Sequence, residues 1–160
     1  MKQDRFLIGI LAFIGVLVLA ALVLFFVRQE QPLTYRADDT PEGVVYNFAL
    51  AIQREDVEKA YAYLADLDNK PTLTAFRQAL LSGYIDTSAS VEIGEAEFLD
   101  DQAYVPVGIH YMSSGPFATG WESNENARLV RQFGAWKIEY MPYPYWNYDW
   151  YQPVVQPIYP

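Results

Sequence analysis

Hydrophobic and polar positions change their rhythm twice along this chain. From Phe6 to Val27 the run FLIGILAFIGVLVLAALVLFFV carries no charge and no strongly polar side chain. As a helix rising about 1.5 Å per residue it would measure roughly 33 Å, enough for a hydrocarbon core of about 30 Å. Buried helices of globular domains are rarely apolar on every face over such a length. Signal peptides have a shorter apolar region, about 7–15 residues, and end in a small-x-small site. This run ends LFFVRQEQP. The pattern predicts a single transmembrane helix over 6–27, with the lipid bilayer as its partner. Lys2 and Arg5 in the short segment 1–5 predict a cytoplasmic N-terminus and an extracytoplasmic C-terminal domain at the cell membrane.

Residues 28–39, RQEQPLTYRADD, have no apolar period and read as a linker. Helical spacing follows. Thr40 is a suitable N-cap and Pro41 suits the first helical position, where a missing N–H costs nothing. Val44, Val45, Phe48 and Ile52 then recur on one face. EDVEKAYAYLADLD predicts a second helix, broken by Lys70-Pro71, and TLTAFRQALLSG a third, capped by Thr72 or Thr74. After Gly83 the period becomes two. SVEIGEAEFLD reads as one strand and Asp100 to Gln102 as a turn. AYVPVGIHYM puts Ala103, Val105, Val107, Ile109 and Tyr111 on one face. Pro106 and Gly108 suggest an edge or a bulge. SSGPFATG is a loop. NARLVRQF and AWKIEYM pair across Phe133-Gly134, with Trp136, Ile138 and Tyr140 facing inward. Helices followed by antiparallel strands predict an α+β layer fold over 40–141.

Two stretches carry a family resemblance. TPEGVVYNFALAIQREDVEKAYAYL resembles the opening of nuclear transport factor 2-like (NTF2-like) domains, and RLVRQFGAWKIEYM resembles their closing hairpin. The resemblance covers Thr40 to Met141. It implies a cystatin-like α+β cone, with three helices packed on a curved antiparallel sheet and a pocket between them. The family holds enzymes, ligand binders and membrane-bound assembly subunits, so the likeness bears on fold more than on function.

Charge and chemistry narrow the functions. The net charge is −9 over 160 residues. Three of the 11 basic and two of the 20 acidic residues precede Gln31, leaving about −10 on the rest. That balance excludes nucleic acid as a partner, which requires a basic face. With no Cys and one His, thiol catalysis, disulfides and His-rich metal centres are absent. DLDNKP, from Asp66, begins like a calcium loop but has Lys70 and Pro71 at the fifth and sixth positions and Arg77 at the twelfth. His110 alternates away from the apolar face, and nothing beside it in the sequence hands it a carboxylate. No catalytic, cofactor or metal residues are expected, and the chain reads as a protein without enzymatic activity.

Residues 142–160 form a tail. Tyr140 to Tyr151 hold seven aromatic residues, and five of the ten prolines fall after Met141. The prolines exclude helix and central strand and predict extended chain. Tyr and Trp are favoured at interfaces. Tyr143, Tyr145, Trp146, Tyr148, Trp150 and Tyr151 are therefore the expected partner-binding residues, ordered first by their own domain. The sequence-level function is a non-catalytic accessory or scaffold subunit of a membrane protein complex, in electron transfer, transport or secretion, bound to its other subunits. The alternative is a membrane-tethered binder of a small apolar ligand, with Phe48, Tyr61, Phe76, Tyr84, Tyr104, Tyr111, Trp121, Trp136 and Tyr140 as walls.

Overall fold

A computed structural model describes the backbone of residues 5–27, 33–83, 85, 89–111 and 121–152, and the side chains of these except 5–7, 25–27 and 111. The SSGPFATG loop, Tyr84, the end of the tail and the N-terminal Lys2 lie outside the described residues. The chain divides into two compact units, residues 1–34 and residues 35–160.

The first unit carries helix α1, Arg5–Val27. Every side chain described in it, over 8–24, is exposed. Among the described residues no helix is long and apolar enough to cross a membrane. The expectations built on a span over 6–27 are corrected accordingly: the transmembrane helix, the bilayer partner, and the single-pass topology with an extracytoplasmic domain at the cell membrane. What remains is a helix whose exposed apolar surface calls for cover from outside its own unit.

The second unit is α+β. Helix α2, Pro41–Gln53, starts where expected, with the Thr40 hydroxyl accepting from the Gly43 amide at 3.1 Å. Its buried surface is wider than one stripe and runs from Val44 through Ile52 with only Tyr46 partly out. Helix α3 is short, Val57–Ala62. The chain leaves it at Tyr63 because the next residues pair with the sheet: Ala65 donates to the Ile138 carbonyl and Ile138 to that of Tyr63, each at 2.8 Å. Helix α4, Leu73–Leu81, is capped by Thr72 and buries Phe76, Ala79 and Leu80.

Five antiparallel strands form one curved sheet on which the helices pack. They are β1 Ser90–Ile93, β2 Glu97–Leu99, β3 Gln102–Tyr111, β4 Trp121–Gln132 and β5 Ala135–Tyr140. Their order is β1-β3-β4-β5, and β2 also pairs with β3. The single strand expected over 90–100 is thus two, interrupted over 94–96. The Gly94 amide still donates to the Pro106 carbonyl at 2.8 Å, and a Cβ there would lie 3.0 Å from the Pro106 side chain, so a glycine suits this close crossing. Ala103, Val105, Val107 and Ile109 all face the core, as their alternation predicts. Ala127, Leu129 and Ile138 continue that face across β4 and β5. Trp136 shares the face of Ile138 but lies at the strand's end and is half-buried, not largely buried as expected.

The domain begins earlier than Thr40. Asn47, fully buried on α2, accepts from the Arg36 amide and donates to its carbonyl, each at 2.8 Å, and also donates to Asp38. Residues 35–39 therefore belong to the fold and not to a linker.

Candidate functional site

The aromatic segment after β5 follows neither an extended path nor a helix. Proline removes two backbone donors between Met141 and Tyr145, and the chain answers with turns at 143–145 and 148–151. Tyr145 donates back to the Pro142 carbonyl, and Trp150 to that of Asn147, each at 3.0 Å. These turns swing Tyr145, Trp146 and Trp150 inward.

Tyr145 is fully buried. Its hydroxyl donates to the Ala89 carbonyl at 2.6 Å and accepts from the Gln53 side-chain amide at 3.0 Å. Trp150 tilts over Phe76 of α4, with ring centres 5.0 Å apart. Trp146 meets Trp150 edge-on at 5.0 Å and stacks on Tyr151 at 5.7 Å. Tyr151 is half-buried and fixed by its hydroxyl to the Ala65 carbonyl at 2.7 Å. Burial is the main reason its phenol is held above the ordinary tyrosine range, with Tyr61, Asp66 and Glu139 adding to it. Met141, Tyr145, Trp146 and Trp150 belong to the same hydrophobic core as Phe48, Phe76 and Ile138.

Of the six aromatic residues expected to meet a partner, the structure therefore places Tyr145, Trp146 and Trp150 inside their own domain. Tyr143 and Tyr148 stay outside, 44% and 56% exposed. The Tyr140 hydroxyl donates to Glu125 at 3.2 Å. Burial first, then the Glu125 carboxylate, pushes the Tyr140 phenol up to about 12. Between the segment and α4 lies a cleft of about 200 Å3, lined by Ala75, Gln78, Ala79, Ser82 and Asn147. Its lining mixes the small Ala75 and Ala79 with the polar Gln78, Ser82 and Asn147. Asn147 is held by accepting from the Asp149 amide at 2.9 Å. The ligand walls fare differently. Phe48 and Phe76 are fully buried in the core and Trp121 is exposed. Tyr84 and the Tyr111 side chain lie outside the described residues.

His110 has neighbours that its own strand does not reveal. The register sets Ser90 and Glu122 opposite it, and Glu92 opposite Gly108 beside it. Its imidazole reaches Glu92 at 3.6 Å and Glu122 at 3.9 Å. The expectation that nothing hands it a carboxylate is corrected. Alternation along each strand could have placed the three on one face; pairing of β3 with β4 across a long loop could not be read from the sequence. The trio lies on the solvent face of the sheet and lines no part of the cleft. Among the described residues, no group of three or more His, Asp or Glu is placed to hold a metal ion.

Compared with known proteins, the chain matches no family model, and no curated protein matches it significantly.

Proposed function

We propose that residues 35–152 are an NTF2-like cone that serves as a non-catalytic accessory or scaffold domain in a multi-subunit assembly. One observation carries the reading: Tyr145, Trp146 and Trp150 of the chain's own C-terminal segment are packed into the domain's core, while Tyr143 and Tyr148 are left at the surface. A filled interior offers a substrate little room, and attachment then falls to the outside. Tyr148, next to Asn147 on the cleft, presents a ring and a hydroxyl at low rotamer cost, the property that makes Tyr a frequent contact residue. The exposed apolar side chains of α1 supply a second attachment element. His110 with Glu92 and Glu122 is read as a polar cross-strand cluster, since an acid–base role needs a bound substrate within hydrogen-bond reach.

The test is the native mass of the full chain purified gently from its own cells. A stoichiometric assembly is expected, lost in Tyr143→Ser/Tyr148→Ser and retained in His110→Ala. A monomer, or an assembly indifferent to the tyrosines, would refute the reading.

A further inference from the structure

The hairpin between β4 and β5 turns on Phe133 and Gly134, with φ of 51° and 81°. A two-residue turn with both φ positive favours Asn-Gly, because a bulky side chain is strained in the left-handed region. Here the first position is Phe, and it is 99% exposed. The side chain therefore neither suits its backbone nor packs on its own domain. Such a residue weakens the fold and gains nothing within it.

It has apolar company. Leu99 pairs with Gln102 and Gln102 with Val130, so the end of β2 comes to the same end of the sheet as the hairpin. Phe98 and Leu99 are 63% and 61% exposed. The Phe98 ring lies 5.9 Å from that of Trp136, which the Arg131 guanidinium covers at 5.7 Å. Apart from Arg131, the polar rim is acidic. Glu97, Asp100 and Asp101 are all exposed beside Phe98 and Leu99, and the Arg131 amide donates to the Asp101 carbonyl.

We propose that Phe133, Phe98 and Trp136 form a docking surface for a partner protein that offers an apolar pocket rimmed by Lys or Arg. Charge complementarity selects this occupant. A second copy of the chain would bring the same three carboxylates and a net charge of about −10 from Gln31 onward against its twin. A basic rim matches the carboxylates while the pocket takes the Phe133 ring. This rests on the accessory or scaffold reading and extends it by a further surface, and the tyrosine variants above test that reading separately.

The experiment measures anisotropy of a labelled helical peptide of repeating Leu and Lys, with its Glu-for-Lys counterpart, against the full chain in mild detergent. Phe133→Asn is the decisive variant, because Asn-Gly suits the turn and the protein should melt at the same temperature or higher. The Leu-Lys peptide should bind the unaltered chain and lose about tenfold or more in affinity on Phe133→Asn, as for a central contact residue. Leu81→Ser, at an exposed apolar residue of α4, should leave binding unchanged. The Leu-Glu peptide should bind neither. No binding of the Leu-Lys peptide, or equal binding by Phe133→Asn, overturns the proposal. Sedimentation that shows a dimer dissolved by Phe133→Asn would make the occupant a second copy and overturn it as well.

Discussion

The phenol of Tyr145 meets the carbonyl oxygen of Ala89 at 2.6 Å in the interior of the domain, and the Gln53 amide reaches both. Three segments far apart in sequence thus share one small polar knot inside an apolar core. Tyr145→Phe removes the hydroxyl but leaves Gln53 donating to Ala89, so about 1 kcal/mol of stability should be lost. Tyr145→Ala empties the centre and should cost about 3–5 kcal/mol. Urea unfolding of both variants checks the ratio; equal losses would mean that the ring contributes no packing.

Deleting residues 142–160 should unfold the domain. Burying each of Tyr145, Trp146 and Trp150 contributes roughly 1.5–3 kcal/mol, and the sum rivals the whole stability of a domain this size. This reverses the expectation that the sequence alone supports, in which 40–141 stands by itself. Far-UV and near-UV dichroism of the truncated chain distinguish the two: a cooperative melt close to that of the full domain would mean the segment is only peripheral.

Asn47→Leu should cost about 1–3 kcal/mol, because the fully buried Asn47 side chain is the partner of both the Arg36 amide and the Arg36 carbonyl. Hydrogen exchange at Arg36 should rise with it. An unchanged Arg36 protection would show that residues 35–38 are held by something else.

Alkaline pH should loosen the domain through its tyrosines. Tyr63, Tyr140 and Tyr151 all have phenols raised by burial, Tyr140 to about 12. A raised folded-state value means that folding favours the neutral ring. Its contribution is complete below about 10, the unfolded value, and fades as pH climbs through 12. Denaturation midpoints should fall over that window, and Tyr140→Phe should make the fall shallower. A flat profile from 9 to 12 would contradict the burial of these rings.

Local chemistry was legible in the sequence and long-range pairing was not. Thr40 and Thr72 cap their helices because a hydroxyl beside free amides needs nothing distant. The alternation of Val105, Val107 and Ile109 likewise fixes which face is buried. The end of α3 could not be foreseen: Tyr63 and Ala65 abandon helical spacing for partners on Ile138. The same holds for Asn47, whose buried amide pulls residues 35–38 into the domain. The tail's aromatic content was visible as a need for cover. Which rings turned inward depended on turns set around Pro142 and Pro144, so Trp146 and Trp150 packed at home and Tyr143 and Tyr148 did not.

The inward segment also dictates when the domain can form. Tyr145 is bonded to Gln53 across 92 positions of sequence, and Tyr151 to Ala65 across 86. A growing chain therefore exposes the helices and sheet to solvent and chaperones well before the rings that close them have been made. Closure of such distant contacts is slow because the intervening loop must be ordered first. During synthesis the open interior passes through a period in which Phe48, Phe76 and Ile138 are available to other hydrophobic chains. A stop or stall shortly after residue 140 would yield a product prone to aggregation, even though every strand of its sheet is already present.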